Sequence, residues 1–161
     1  MRDINHEDMD RTLKIDDLLC FSLYSANHAL TRLYRPLLAP LGLTYPQYLV
    51  MLVLWEAGEN GQTVRVSDLG KRLRLDSGTL TPLLKRLAER DLVTRLRDTT
   101  DERVVTVAPT EKGSAMRQQA RDIPGRLLCG TGIDQERIVE LREELRSVLS
   151  LLEAGEAPSG Q

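Results

Sequence analysis

The sequence predicts a mainly α-helical domain that carries one small β-hairpin. Most of the 161 residues fall into segments whose apolar residues recur at helical spacing. Serine, threonine or aspartate stands before several of these segments, in the position of a helix N-cap. Near residue 100, two β-branched segments flank the polar sequence DTTDE and alternate as hairpin strands do.

Composition narrows the function classes. Hydrophobic residues make up 41% of the chain, charged residues 29% and aromatic residues 4%. The low aromatic content argues against a protein that stacks single-stranded bases. The formal net charge is -2, yet residues 65–103 hold ten Lys/Arg against seven Asp/Glu, and the remainder holds twelve against seventeen. A basic middle between acidic ends predicts one anion-facing surface.

No signal-peptide pattern and no membrane span is visible, so we expect a cytoplasmic protein. In that compartment the two cysteines, Cys20 and Cys129, are not expected to form a structural disulfide. The only histidines are His6 and His28, and neither a Cys-x-x-Cys nor a His-x-x-x-His pair occurs. We therefore expect no metal site and no cofactor.

The first predicted helix runs from residue 15 to about 38, after a loosely ordered start, with Pro36 and Pro40 disturbing its end. Its apolar residues lie on most sides rather than on one stripe. In so small a chain, a helix buried on most sides favours a helix shared with a second copy.

Three further helices follow. Thr44 and Gln47 predict a capping box that starts the second helix, which ends at Gly58. Ser67 is the predicted cap of a short third helix and Asp76 that of the fourth. The side chains expected to point inward from the second helix are Tyr48, Leu49, Met51, Leu52 and Trp55. On the fourth helix they are Leu80, Leu83, Leu84 and Leu87, and we expect Pro82 to loosen its start.

The hairpin joins residues 92–97 to 103–107. Thr110 caps a fifth helix that is expected to reach about residue 128 and to be disturbed at Pro124. A sixth helix is predicted from 134 to about 153. The sequence thus predicts a single domain over 1–161 that ends in a disordered tail at 154–161.

Two short helices joined by a tight turn and followed by a charged hairpin form a winged helix-turn-helix pattern. Such a helix enters the major groove of DNA with its N-terminal polar side chains at base edges. The residues predicted to contact bases are Ser77, Thr79 and Thr81, and those predicted to contact the phosphate backbone are Lys85 and Arg86. Arg95, Arg97 and Arg103 are placed for the minor groove. The ordinary alternative is an exposed, solvated helix face in a protein that binds no DNA.

Cys20 shares a face of the first helix with Tyr24, four residues on, and roughly with Tyr34, fourteen residues on. Tyr34 lies about 21 Å further along the axis, so only a second subunit can bring it to Cys20. Most cysteines on apolar helices are inert small hydrophobes. A reactive thiolate here would take its hydrogen bonds from tyrosine hydroxyls, with Tyr45 beyond the turn as a third donor.

The segment LRLDSGTLTPLLKRLAERDLVTRLRDTTDERVVTVAPTEKG resembles the recognition helix, wing and following helix of the MarR family of bacterial repressors. Together with LLCFSLYSA and LTYPQYLVMLVLW, it is similar to one branch, the organic-hydroperoxide-resistance regulators. The resemblance covers about residues 15–150. One departure is Pro109, where leucine is common in the family.

The resemblance implies a six-helix homodimer that represses transcription from a pseudo-palindromic double-stranded operator. Its dimerisation helices would lie at 15–41 and 110–153, and its winged helix-turn-helix DNA-binding region at 45–109. It implies that Cys20 senses organic hydroperoxides among Tyr24, Tyr34 and Tyr45, partly from the other subunit. It also implies that Cys129 resolves oxidised Cys20 as an intersubunit disulfide. In the wing, the family pattern places Arg103 in the minor groove and uses Asp101 to hold it.

Two other functions are compatible with the residues. One is a MarR-type repressor released by a phenolic or drug-like ligand in the same interhelical cleft, with Cys20 a bystander. The other is a thiol peroxidase, although no Arg/Thr/Cys constellation of such an enzyme is visible and the recognition helix would have no role. We therefore expect a regulator and not an enzyme.

Overall fold

A computed structural model describes residues 14–97 and 104–155. The chain divides into two compact units, Met1–Arg121 and Asp122–Gln161. The first unit contains five helices and three strands among its described residues: α1 (Leu19–Leu38), α2 (Tyr45–Glu59), β1 (Val64–Arg65), α3 (Val66–Leu73), α4 (Ser77–Glu89), β2 (Val93–Arg97), β3 (Val105–Pro109) and α5 (Glu111–Ala120). The second contains α6 (Ile123–Thr131) and α7 (Gln135–Gly155). This mainly helical fold with a small sheet confirms the predicted fold class.

The first helix starts later than predicted. Ile15–Asp17 form one turn of 3-10 helix, Leu18 is extended with φ -85° and ψ 122°, and α1 begins at Leu19. The helix then continues through Pro36 to Leu38, where a short 3-10 turn, Ala39–Leu41, leads to Gly42. Several of its apolar side chains are exposed, as expected for a helix whose partner is another molecule. The predicted loose start, residues 1–13 of it, lies outside the described residues.

The core of the first unit is built around α2. Its side chains Tyr48, Met51 and Trp55 are buried, whereas Leu52, predicted to point inward, is 38% exposed. Gln47 Oε1 accepts a hydrogen bond from the Thr44 backbone N–H at 3.0 Å, which confirms the predicted capping box. The helix reaches Glu59, one residue beyond the predicted end.

The helix-turn-helix is present, with one cap reassigned. Helix α3 begins at Val66, so Arg65 is its N-cap and Ser67 is its second residue. The short strand β1 fixes that start, because pairing ends at Arg65. Asp76 caps α4 as predicted, and α4 is continuous across Pro82. The loss of one N–H at Pro82 does not interrupt a helix whose Leu80, Leu84 and Leu87 are buried.

The sheet has three strands in the order β1-β3-β2, all antiparallel. The predicted hairpin supplies β2 and β3, and β1 was not predicted because two residues carry no alternation. The loop between β2 and β3, residues 98–103, lies outside the described residues. Thr110 caps α5, where its Oγ1 accepts from Gly113 N at 2.9 Å.

The predicted fifth helix is divided in two. Helix α5 ends at Ala120, and α6 begins at Ile123 with Pro124 in its first turn, where a missing N–H is tolerated. In the second unit, Asp134 Oδ1 accepts from Arg137 N at 2.7 Å and begins α7. That helix includes residues 154 and 155, and the rest of the predicted tail, 156–161, lies outside the described residues.

No single helix within residues 14–97 and 104–155 has the length and apolar composition of a membrane span. The pair Leu19–Leu41 and Tyr45–Glu59, bent by 68°, passes that test only when its two members are taken together.

Candidate functional site

Helix α4 presents the polar face expected of a recognition helix. Its buried leucines fix the opposite side against the core of the first unit. All five side chains predicted to contact DNA from this helix are exposed, namely Ser77, Thr79, Thr81, Lys85 and Arg86. Lys85 Nζ lies 3.9 Å from Glu89 Oε1 one turn later, and both side chains are well exposed. An exposed pair of this kind contributes little stability and can be exchanged for a phosphate contact.

The N-terminus of α4 already holds a carboxylate. Asp76 Oδ1 accepts from Thr79 N at 2.8 Å, and Asp76 Oδ2 accepts from Thr79 Oγ1 at 3.0 Å. These hydrogen bonds, the backbone one first, hold the pKa of Asp76 below its usual value. A helix N-terminus with free N–H groups is a favourable phosphate site. Because Asp76 occupies it as an anion, the basic side chains further along α4 are the better phosphate contacts.

The wing carries two exposed arginines in the described part of the chain. Arg95 and Arg97 lie two residues apart on β2, so both project from one face of the strand. Arg95 pairs with Val107 and Arg97 with Val105 across the hairpin. The predicted tip residues Asp101 and Arg103 lie outside the described residues.

Cys20 occupies the first turn of α1. Ser22 N donates to Leu18 O at 3.1 Å, which makes Leu18 the N-cap and Cys20 the second helical residue. The sulfur is exposed, and both cysteines are free thiols. A helix that began at residue 15 would place Cys20 in its second turn, whereas the observed start places it in the first turn of α1.

The turns after Cys20 carry an exposed aromatic group. The rings of Tyr24 and His28 are 4.3 Å apart, and those of Phe21 and Tyr24 are 6.4 Å apart and stacked. Tyr24 follows Cys20 by four residues and is 59% exposed. The helix geometry therefore places Tyr24 above the thiol, as predicted. The sequence marked His28 only as a possible metal ligand, whereas in the structure its ring contacts that of Tyr24.

A second aromatic group lies at the far end of α1. Tyr34 stands 4.7 Å from Tyr45 and 5.9 Å from Tyr48, measured between ring centroids. Burial, with Tyr45 and Tyr48 as neighbours, raises the pKa of Tyr34 to about 12. Burial also raises the pKa values of Tyr45 and Tyr48. Three protonated phenols at one place supply hydroxyl donors.

Tyr48 belongs to this aromatic group, although the sequence predicted it only as a core residue. Its signal was present, because it follows Tyr45 by three residues and so shares a face of α2 with it. Tyr48 also makes an edge contact with Trp55 at 6.4 Å, which links the phenols to the core.

The first unit thus separates the predicted thiol site into two parts. Tyr24 lies with Cys20 at the start of α1, and Tyr34 meets Tyr45 near its end, about 21 Å further along the helix. In the second unit, Cys129 is exposed on α6, three residues before Gly132, which ends the helix at φ 67°. Among the described residues, no group of three His, Cys, Asp or Glu side chains is arranged to hold a metal ion.

The fold and a family model together define the class of protein. The model described as "Transcriptional regulator SarA/Rot" matches residues 32–119, which include the helix-turn-helix and the hairpin. The chain belongs to the MarR/SarA family of transcriptional regulators. This membership confirms the resemblance to the MarR family that the sequence shows.

Individual relatives narrow the comparison. The organic hydroperoxide resistance transcriptional regulator of Bacillus subtilis (strain 168) is 42% identical over 87% of this chain and 92% of its own length. The HTH-type transcriptional regulator TtmR of Methylorubrum extorquens (strain PA1) is 45% identical over 86% of this chain and 72% of its own length. Both are named as transcriptional regulators and not as enzymes.

Solved structures of AbfR from Staphylococcus epidermidis are similar in fold. Reduced AbfR bound to DNA superposes with a TM-score of 0.71 and 29% identity, covering 89% of this chain and 98% of that one. Disulfide-formed AbfR superposes with a TM-score of 0.56 and 27% identity, covering 90% and 99%.

Proposed function

We propose that the protein is a cytoplasmic, homodimeric repressor that binds a pseudo-palindromic operator and is released when an organic hydroperoxide oxidises Cys20. The observation that carries the proposal is the position of Cys20. Its exposed thiol lies in the first turn of α1, open to an oxidant, with Tyr24 one turn away. The relatedness to a hydroperoxide-resistance regulator supports the choice of oxidant.

A homodimer accounts for apolar surface that a lone chain leaves in water. Leu19 is 60% exposed on α1, and Leu151 is 72% exposed on α7. Other exposed apolar side chains on these two helices are Tyr24, Leu30, Leu33, Val139, Leu145 and Leu152. We assign residues 15–41 and 110–153 to the dimer interface, because burying such side chains is the main drive for stable association.

The dimer also completes the thiol site. Tyr34 and Tyr45 cannot reach Cys20 of their own chain, since about 21 Å of helix separates them. In an antiparallel arrangement of two α1 helices, the start of one lies beside the end of the other. Each Cys20 then takes hydrogen bonds from its own Tyr24 and from the partner's Tyr34 and Tyr45. Burial raises the pKa values of Tyr34 and Tyr45, so these two phenols are protonated and can donate the hydrogen bonds.

The chemistry is a two-electron oxidation of sulfur. The Cys20 thiolate attacks the outer oxygen of R–O–O–H, the O–O bond breaks, and Cys20 becomes a sulfenic acid while the alkoxide takes a proton and leaves as an alcohol. Phe21 and Leu23, which follow Cys20 on α1, are the apolar side chains that favour an organic hydroperoxide over hydrogen peroxide. The Cys129 thiol of the other subunit then displaces the sulfenic hydroxyl, which forms the disulfide and releases water.

The DNA-binding part reads the operator through α4 and the wing. Ser77, Thr79 and Thr81 face base edges, and Lys85 and Arg86 contact phosphates. Arg95 and Arg97 of the wing lie on the side of the minor groove. Arg103, held by Asp101, is the residue that enters that groove. Half-sites about one helical turn apart match a two-fold protein.

The test begins with DNA selected from a random library by the reduced protein. Addition of cumene hydroperoxide should release this DNA from the parent protein, as measured by gel shift. The Cys20→Ser protein should bind the same DNA and keep it. If cumene hydroperoxide releases DNA from the Cys20→Ser protein at the parental rate, the sensing role of Cys20 is refuted and a non-covalent ligand mechanism is favoured.

A matched variant isolates the second step. After peroxide treatment, the parent should run as a covalent dimer on a non-reducing gel, and Cys129→Ser should not. A Cys129→Ser protein that still forms this dimer would exclude Cys129 as the resolving residue, while leaving the role of Cys20 intact.

A further inference from the structure

Arg90 joins the end of the recognition helix to the turn that follows α1. It is the C-cap residue of α4. Its Nη1 donates to Gly42 O at 2.5 Å, and its Nη2 donates to Leu41 O at 2.9 Å. A guanidinium donates through two fixed nitrogens, so one side chain binds two successive carbonyls of this turn. The contact spans 48 residues of sequence and lies within the first compact unit.

The turn is shaped to receive this side chain. Gly42 has φ +61°, in the left-handed region that favours glycine, and a Cβ at this position would lie 2.9 Å from Arg90 Nη2. The absence of a side chain at Gly42 thus leaves room for the guanidinium beside the carbonyls of the α1–α2 turn.

The other side of Arg90 is held by the start of α5. Lys112 Nζ donates to Arg90 O at 2.7 Å, and Thr110 Oγ1 donates to Asp91 O at 2.7 Å. Asp91 itself has φ 57°, which makes the chain turn sharply between α4 and β2. The end of α4 is therefore clamped to α5 by its backbone and to the α1–α2 turn by the Arg90 side chain.

The α1–α2 turn lies between two residues of the proposed sensor. Tyr34 precedes it on α1, and Tyr45 is the first residue of α2. Their rings touch across the turn at a centroid distance of 4.7 Å. A change in how these phenols pack, when the thiol they serve becomes oxidised, has to be accommodated by the two helix ends that carry them and hence by the turn.

We infer that Arg90 is a positioning residue that transmits the state of the α1–α2 turn to α4. This inference rests on the proposed function for its signal, and adds the route by which the signal reaches the DNA-binding helix. When the turn moves, the two carbonyls bound by the guanidinium move with it and α4 follows. Without the guanidinium, α4 keeps its buried leucines and its cap at Asp76 but loses this connection.

The experiment compares Arg90→Gln and Arg90→Lys with the parent. The measured quantity is the ratio of Kd for selected DNA after and before treatment with cumene hydroperoxide. Loss of charge-assisted hydrogen bonds should reduce this ratio by about tenfold in Arg90→Gln. Arg90→Lys keeps the charge but not the two-nitrogen geometry, so it should retain the DNA affinity of the reduced protein and still lose most of the ratio.

Arg72→Gln is the matched control. Arg72 is an exposed arginine of α3 in the same unit, and its ion pair is with Glu56 of α2 rather than with the turn. It should keep the parental ratio. Mass spectrometry of Cys20 in each sample confirms that the variants are oxidised to the same extent. Equal oxidation and a parental ratio in both Arg90 variants would overturn the inference.

A second readout needs no oxidation. Gly42 N donates to Ala39 O at 2.9 Å and Leu43 N donates to Leu38 O at 3.3 Å, so hydrogen exchange of these amides reports on the turn. DNA binding should slow their exchange in the parent and leave it unchanged in Arg90→Gln. The same slowing in Arg90→Gln overturns the inference. If peroxide fails to release DNA from the parent protein, the proposed function is refuted. The role of Arg90 is then still decided by the hydrogen-exchange comparison between the parent and Arg90→Gln.

Discussion

Among the glycines of the described residues, Gly113 is the one at which an added methyl group should lower the free energy of unfolding most. A Cβ placed there would lie 2.0 Å from Leu92 O and 3.0 Å from Leu92 C, both backbone atoms. Leu92 is fully buried at the start of the wing, and Gly113 belongs to the first turns of α5. Neither atom can rotate away as a side chain would. Gly113→Ala therefore has to move α5 relative to the strand that it contacts.

The magnitude follows from three terms. Overpacking of this kind costs about 1–3 kcal/mol. Gly113 O also accepts the buried Trp55 Nε1–H at 2.8 Å, and a buried indole N–H that loses its acceptor costs about 1–3 kcal/mol. Alanine returns about 0.5–1 kcal/mol through its better helix propensity. The net loss in the free energy of unfolding is about 1–5.5 kcal/mol, a large share of the stability of a small domain.

Urea unfolding followed by the fluorescence of Trp55, the single tryptophan, measures this loss. Protein concentration is held constant, because a dimer unfolds in a concentration-dependent way. Gly58→Ala is the matched control: its Cβ would meet only Pro109 Cγ, at an ordinary 3.7 Å. If Gly113→Ala and Gly58→Ala unfold at the same urea concentration, the close contact between Gly113 of α5 and the Leu92 backbone is refuted.

Three other predictions follow. The pKa of Tyr34 is about 12 against an ordinary 10.0, so it binds its proton more tightly when folded; the stability this provides is complete below pH 10 and is lost between about pH 10 and 12. Tyr34→Phe should flatten the dependence of the urea midpoint on pH in that window, and an unchanged slope would contradict the burial of this phenol. Thr110→Ala removes the cap on Gly113 N and should cost about 1 kcal/mol in the same assay, whereas no loss would exclude the cap. Arg86→Gln should weaken DNA binding and lower the slope of log K against log salt by about 1; a parental slope would remove Arg86 from the phosphate contacts.

Local signals explain why much of the fold was predictable. The caps at Thr44, Asp76 and Thr110 are side chains that bind the backbone three residues on, and that spacing is visible in the sequence. The buried leucines of α4 follow the helical period, so the exposed face of the recognition helix could be derived as well. The hairpin was predictable from β-branched residues on either side of a polar turn, although only Val93 of β2 is buried and Leu96 is exposed.

What the sequence did not reveal depends on tertiary context. The 3-10 turn before Leu18 moves the start of α1 by four residues, and no capping side chain marks it. This shift places the Cys20 thiol in the first turn of α1. Strand β1 exists only because β3 offers it a partner. The contact of Arg90 with Gly42 joins residues 48 positions apart, and no local pattern indicates such a pair.

One measurement tests the central claim most directly. Reduced protein bound to selected, fluorescently labelled DNA is exposed to cumene hydroperoxide, and the fraction of oxidised Cys20 and the fraction of released DNA are followed in the same sample by mass spectrometry and anisotropy. The two fractions should rise together, and Cys20→Ser should hold its DNA throughout. Release of DNA while Cys20 remains a thiol, or equal release from Cys20→Ser, would contradict a repressor governed by this cysteine.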